Sequence, residues 1–100
     1  MNFLLEILHG TRKKVGTNYP VFVRINGDSY DPEGLGLEEA KVVAKRLEAE
    51  GADAIDVSAG AWQFPERTVP PACFPRGCNV YLASAIKQEV HVPVITAGRI

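Results

Sequence analysis

The sequence predicts an α/β fold in which about three parallel strands alternate with helices, as they do in part of a (β/α)₈ TIM barrel. The first observation is the order of the predicted elements, which is helix, strand, helix, strand, helix, strand. Strands that alternate with helices at this spacing pair in parallel through right-handed crossovers. The second observation is that the first and second strands each have one aliphatic and one mixed face, which favours a barrel over a doubly wound sheet. The doubly wound sheet remains the alternative.

A helix is predicted at the start of the chain, because apolar residues recur at helical spacing across residues 3–8. The basic residues 12–14 suit the end of that helix, where the helix dipole is negative. The first strand is predicted over residues 21–26, VFVRIN, and the turn-forming pair Gly27-Asp28 closes it.

The second helix is predicted from about Leu37 to Glu50, with Gly51 as its C-terminal cap. The second strand is predicted over residues 53–60, DAIDVSAG. A loop of about twenty residues follows, longer than a compact connection normally needs, and such loops are usually functional or disordered. Asn79 is then predicted to cap a third helix, and the third strand covers residues 92–96.

The composition limits the classes of partner. The formal net charge is −1, so the basic surface expected of a nucleic-acid-binding protein is not indicated. No apolar run approaches the roughly 20 residues of a membrane helix, and no secretory leader is recognisable, which predicts a cytoplasmic protein. Cys73 and Cys78 are the only cysteines and lack partner ligands nearby in sequence, so we expect reduced thiols and no metal site.

Arg24 is the most informative single residue, because it lies in the middle of the first strand. Its side chain shares a face with Phe22 and Asn26, opposite the aliphatic face. A buried guanidinium must be paired. The partner is either Asp56 on the neighbouring strand, as an internal ion pair, or an anionic or electron-rich ligand at the barrel mouth, and the sequence leaves both open.

Residues 58–62 span the end of the second strand and the start of the loop after it, at the face of a barrel that bears active sites. Gly60 permits close approach to the backbone, and Trp62 either stacks on a flat ligand or packs beneath the loop. Gly98-Arg99 ends the third strand, in the position of turns whose backbone amides hold phosphate. This pair is a weak motif alone, and no GxGxxG sequence supports a classical dinucleotide site.

Five segments together carry a family resemblance: FLLEIL, VFVRINGD, GLGLEEAKVVAKRLEAEGADAIDVSAG, PRGCNVYLASAIK and VPVITAGRI. In this order they resemble the old yellow enzyme family of FMN-dependent NAD(P)H oxidoreductases, most closely its enoate reductase and 2,4-dienoyl-CoA reductase branch. The resemblance covers essentially the whole chain. It implies that residues 1–100 extend from the helix before the fifth strand to the end of the seventh strand of a single FMN-binding TIM-barrel domain.

The resemblance implies roles for individual residues. Arg24 matches the arginine beside the pyrimidine edge of FMN, and Gly98 and Arg99 match the turn that contributes to the phosphate site. Ser58, Gly60 and Trp62 fall where the family's sixth loop approaches flavin and substrate. The implied activity is reduction of an activated C=C bond in a small enoate or enoyl-type substrate, with NADH or NADPH as reductant. No catalytic residue is assigned to this segment, and an iron–sulfur cluster is implied only for the parent protein.

Three strands cannot close an eight-stranded barrel of about 250 residues, so we expect the isolated chain to be inactive. Its outer strands would have unpaired edges, which predicts self-association or pairing with the remainder of the barrel. Two alternatives stay open: a non-catalytic, self-associating piece of a barrel, and a piece of another phosphate-binding TIM-barrel enzyme.

Overall fold

The computed structural model describes residues 2–100, which form four helices and three strands. The predicted order of helices and strands is confirmed, with one additional short helix between the second and third strands. In chain order the elements are α1 (Asn2–Val15), β1 (Phe22–Asp28), α2 (Leu37–Ala49), β2 (Ala54–Ala59), α3 (Pro65–Thr68), α4 (Val80–Lys87) and β3 (Val94–Thr96).

The strands form one parallel sheet in the order β1-β2-β3. Arg24 lies directly opposite Asp56, as the shared height of the two residues predicts. The pairing register of β1 with β2 shifts between Asn26 and Asp28, at the carboxyl end of β1. Because all three strands run in the same direction, their carboxyl ends lie at one edge of the sheet, and the loops that follow them meet there.

The core lies between one face of the sheet and helices α2 and α4. The aliphatic face of β1 is buried and Arg24 on the other face is exposed, so the predicted strand parity is confirmed. Leu47, Leu82 and Ile86 are completely buried against this face, together with Ile55 of β2. The expectation that Arg24 itself is buried is wrong, because within residues 2–100 its side chain is 69% exposed.

Arg12 joins the first helix to the amino-terminal edge of the sheet. Its guanidinium donates to Asp53 Oδ2 and to the carbonyl of Gly51, both at 2.7 Å. Asp53 also accepts the backbone amide of Val21 at 2.8 Å, which holds the start of β1. The hydrogen bond from Arg12, followed by that from the amide of Val21, lowers the pKa of Asp53 below its ordinary value.

Glu48 holds the chain before β3 in the way that Asp53 holds the start of β1. Its Oε2 accepts the backbone amides of His91 and Val92, the latter at 2.9 Å, so one carboxylate of α2 fixes the turn that leads into the third strand. The hydrogen bond from Val92 is the main cause, and that from His91 the next, of a pKa for Glu48 below its ordinary value.

We expect Glu48→Gln to lower the stability of the chain at pH 7, because a neutral amide accepts backbone hydrogen bonds less strongly than a carboxylate does. The folded-state pKa is lower than the unfolded one, so the stabilisation is present above the unfolded value and is lost as pH falls through the folded value. The wild type and the variant should therefore differ less in urea midpoint at pH values below 4.5, the ordinary pKa of a glutamate. Glu66→Gln, in an exposed position, is the matched control. A pH-independent difference would contradict this assignment.

The segment between β2 and α4 is more ordered than the prediction of a long loop suggests. Pro65–Thr68 form one helical turn, α3, and Pro65 occupies its first position, which suits a residue without an amide hydrogen. Asn79 lies at the predicted N-cap of α4, but its side chain makes no capping hydrogen bond. Instead the side chain is buried, and its Oδ1 has no partner within residues 2–100.

In the part of the chain that the structure describes, no helix is long and apolar enough to cross a membrane.

Candidate functional site

A cavity of about 540 Å³ opens at the carboxyl edge of β1 and β2. It brings together Arg24, Ser58, Gly60 and Trp62, four of the six residues that the sequence predicts to bind ligands. The remainder of the lining comes from Asn26, Ala59, Ala61 and the α3 region, namely Pro65, Thr68 and Val69. A volume of this size is within the range of small-molecule sites, roughly 300–1,000 Å³.

Arg24 supplies the positive charge of the cavity. Its Nη1 lies 3.7 Å from Asp56 Oδ2, while the arginine side chain is 69% exposed and the aspartate side chain 27% exposed. An ion pair this open to solvent contributes little to stability. The ion pair with Asp56 is therefore present. Binding of a ligand by Arg24 stays a prediction, for which most of the guanidinium's hydrogen-bond donors are free within residues 2–100.

Gly60 forms the bend that carries the chain from β2 into the cavity wall. Its φ of +94° lies in the left-handed region. A Cβ atom there would lie 2.3 Å from Thr68 Oγ1 and 2.6 Å from the Thr68 amide nitrogen, so the wall packs directly on the bare glycine. The Gly60 amide donates to the carbonyl of Asp28 at 2.9 Å, and the Gly60 carbonyl accepts Asn26 Nδ2 at 2.8 Å.

Asn26 is a lining residue that the sequence reasoning missed. It lies two positions after Arg24 on the same face of β1, and that parity was the signal that could have identified it. Its carboxamide holds the Gly60 carbonyl, so it fixes the path of the loop as well as lining the cavity.

Ser58 and Trp62 present different chemistry to the cavity. The Ser58 hydroxyl donates to the carbonyl of Ile25 at 3.2 Å, which leaves its oxygen only as an acceptor for a ligand. Trp62 is 99% exposed, so the alternative in which it packs beneath the loop is wrong for residues 2–100. The indole is instead free to cover a flat ligand.

Gly98 and Arg99 lie outside the lining of this cavity, beyond the end of β3. Both have positive φ, +97° and +53°. The Arg99 guanidinium donates to the carbonyls of Phe74 and Ala72 at 3.2 and 3.3 Å, and the Arg99 carbonyl accepts the amide of Gly77. The side chain therefore holds the preceding loop. The Gly98 and Arg99 amides have no acceptor within residues 2–100 and are available to an anion.

The two cysteines are free, and Cys73 is exposed. Among residues 2–100 no three side chains of histidine, cysteine, aspartate or glutamate cluster as metal ligands would.

No family model matches the sequence. The chain is 41% identical over 98 residues to an NADH oxidase from Thermoanaerobacter brockii and 40% identical over 105 residues to a metal reductase from Desulforamulus reducens. These matches cover 98% and 100% of this chain but only 15% of each relative. A solved structure of a 2-naphthoyl-CoA reductase complex superposes with a TM-score of 0.88 at 32% identity, over 98% of this chain and 15% of that one. This neighbour is a TIM-barrel reductase, which confirms the predicted fold class.

Proposed function

This chain belongs to the old yellow enzyme family, and from that premise we propose that it supplies part of the flavin and substrate site of an FMN-dependent NAD(P)H oxidoreductase that reduces activated C=C bonds. The observation that carries the proposal is the meeting of Arg24 with Ser58, Gly60 and Trp62 in one cavity at the carboxyl edge of the sheet. FMN held beside Arg24 and by the turn at Gly98 and Arg99 would supply hydride transfer from the reduced nicotinamide to the activated C=C bond.

The residues present are suited to this cofactor. Arg24 is an exposed guanidinium in a cavity whose other lining is mainly apolar. A fixed cation there favours a ring that becomes negatively charged on reduction, and Asp56 keeps the guanidinium oriented without burying it. A preorganised charge of this kind acts without rearrangement during the reaction.

The turn after β3 is suited to the phosphate group. Two consecutive residues with positive φ, Gly98 and Arg99, have amides with no protein acceptor within the described chain. The Arg99 side chain contributes indirectly, because it ties the turn to the carbonyls of Ala72 and Phe74. A Cβ atom on Gly98 would lie 3.1 Å from Asn79 Nδ2, so a larger residue would press the turn away from α4.

The substrate would lie against the loop after β2. Gly60 forms the bend that seats the α3 wall, Ser58 offers an acceptor, and Trp62 provides an aromatic face. A small enoate or enoyl-type molecule matches this mainly apolar wall. The proton donor for the second carbon and the groups that hold the substrate carbonyl are assigned to other parts of the barrel.

The rest of the barrel is the proposed partner of this segment. Within residues 2–100, β1 and β3 each pair on one side only, and the face bearing Phe22, Arg24 and Ile95 is open. Unpaired parallel edges require neighbouring strands. In this proposal residues 1–100 run from the helix before the fifth strand to the end of the seventh strand of one FMN-binding domain. A non-catalytic piece that satisfies its edges by self-association is the second candidate, which the same open edges favour.

A segment exchange tests the proposal. The matching 98 residues of the T. brockii NADH oxidase are replaced by this chain, and flavin content and NADH oxidation are compared with those of the unaltered oxidase. We expect the chimera to bind FMN and to oxidise NADH. The isolated chain should do neither, and light scattering should report a species larger than a monomer, because its two strand edges are free.

Two results would contradict the proposal. A soluble, folded chimera that holds no flavin would contradict the proposal that this chain forms part of the FMN site, and would favour the non-catalytic candidate. A monomeric isolated chain that binds FMN stoichiometrically and oxidises NADH would show that no further strands are needed.

A further inference from the structure

The guanidinium of Arg67, in α3, lies between two aromatic rings. Its Cζ is 4.5 Å from the ring centroid of Tyr30 and 5.0 Å from that of Phe74. Tyr30 follows β1, whereas Phe74 lies later in the segment between β2 and α4. Arginine suits this arrangement because its planar group stacks on aromatic faces on both sides while remaining charged. One side chain therefore links three separate parts of the chain.

The Tyr30 ring is a fixed platform for this contact. Tyr30 has a φ of 60°, unusual for a residue other than glycine, and its amide donates to Asp28 Oδ1 at 2.8 Å. Its hydroxyl is hydrogen-bonded to that of Tyr81 in α4 at 2.6 Å. Burial, followed by the hydrogen bond to Tyr81, raises the pKa of Tyr30, so the phenol stays neutral in the physiological range. The ring is thus held at both ends.

The helix that bears Arg67, α3, depends on tertiary contacts for its position. It is four residues long, and a single turn is not stable without tertiary contacts. Pro65 and Thr68, on either side of Arg67, line the cavity, and Thr68 rests on Gly60. The position of this wall is therefore set by the Gly60 contact on one side and by the Arg67 stack on the other.

We propose that Arg67 is a positioning residue that sets the width of the cavity by clamping α3 to Tyr30 and Phe74. The inference rests on the proposed function in one respect: the ligand that enters the cavity is taken to be a small unsaturated substrate. The clamp itself is a property of the loops and is tested separately.

Hydrogen exchange followed by mass spectrometry on the 100-residue chain tests the clamp. Arg67→Ala should accelerate exchange of the Thr68 and Val69 amides, which bond to Phe64 and Pro65 carbonyls, about tenfold, with β2 unchanged. Phe74→Ala should accelerate the same amides, and the double variant should add little to Arg67→Ala alone, because both remove one interaction. Arg76→Ala, an exposed arginine of the same loop, is the control. Unchanged exchange in Arg67→Ala, or an equal acceleration in Arg76→Ala, overturns the proposal.

The consequence for the reaction is measured in the chimera with the T. brockii oxidase. Arg67→Ala should raise KM for an α,β-unsaturated substrate about fivefold while kcat and flavin content stay unchanged, and Arg67→Lys should recover part of the loss. A parallel fall in flavin content would overturn the role in positioning the substrate wall. If the chimera with Arg67 intact holds no flavin, the proposed function fails, and the exchange experiment still decides whether Arg67 clamps α3.

Discussion

Arg24→Ala in the chimera is expected to lower kcat for NADH oxidation by roughly a hundredfold, as the loss of one preorganised electrostatic contact does in other enzymes. The reason lies in the site: the guanidinium is the cation of the cavity, Asp56 orients it, and 69% of its side chain is open to a ligand. Removal of the arginine takes the positive charge out of the cavity lining and leaves the Asp56 carboxylate of β2 without its ion-pair partner. Stopped-flow measurement of flavin reduction by NADH separates this effect from later steps.

Two variants are matched to Arg24→Ala. Arg24→Lys keeps a positive charge but loses the planar fork, so it should recover part of the rate. Arg76→Ala removes a charge of the same sign from an exposed loop position outside the cavity and should leave the rate unchanged. A rate in Arg24→Ala within twofold of that of the unsubstituted chimera would show that Arg24 has no electrostatic role in the reaction. The ion pair with Asp56 would then be its only function.

The sequence predicted the sheet and the place of Arg24 and Asp56 on it because strand periodicity is a local property. The alternation of aliphatic and other residues along β1 and β2 is visible within six residues of sequence. It correctly predicted that Arg24 lies beside Asp56 and on the face opposite the core. Exposure of Arg24 was not predictable in the same way. Burial depends on what packs over a residue from elsewhere in the chain, and the described residues leave the Arg24 side chain 69% exposed.

The loop after β2 shows where local reasoning fails. The segment was predicted to be a loop of about twenty residues, yet α3 forms within it, since contacts distant in sequence stabilise a single turn. Thr68 meets Gly60 and Arg67 meets Tyr30, and neither pairing has a signal in spacing or periodicity. The same holds for Asn26, whose bond to the Gly60 carbonyl depends on the bend at that glycine. The predicted ligand residues on the strands therefore lie together in the cavity. The residues that hold the cavity wall could be identified only from the structure.

Gly60→Ala should have the largest effect on the fold near the cavity, because two costs coincide at that position. A residue with a Cβ pays about 1–2 kcal/mol for the left-handed conformation. The new methyl would also lie 2.6 Å from the Thr68 amide nitrogen and 2.9 Å from the Thr68 Cα, and overpacking of this kind costs about 1–3 kcal/mol. Two of the atoms it meets belong to the backbone, so rotation of the Thr68 side chain cannot relieve the clash and α3 must move.

The two costs are separable, because Gly51 provides a matched position. It has a φ of +103° and nothing within 4 Å of a Cβ, so Gly51→Ala pays only for the backbone conformation. Urea unfolding at one protein concentration should therefore rank wild type above Gly51→Ala and Gly51→Ala above Gly60→Ala. The exchange of the Thr68 and Val69 amides should rise only in Gly60→Ala. If the two alanine variants unfold at the same urea concentration, Thr68 moves aside without loss of stability. The wall of the cavity is then held by the Arg67 clamp and not by the contact of Thr68 with Gly60.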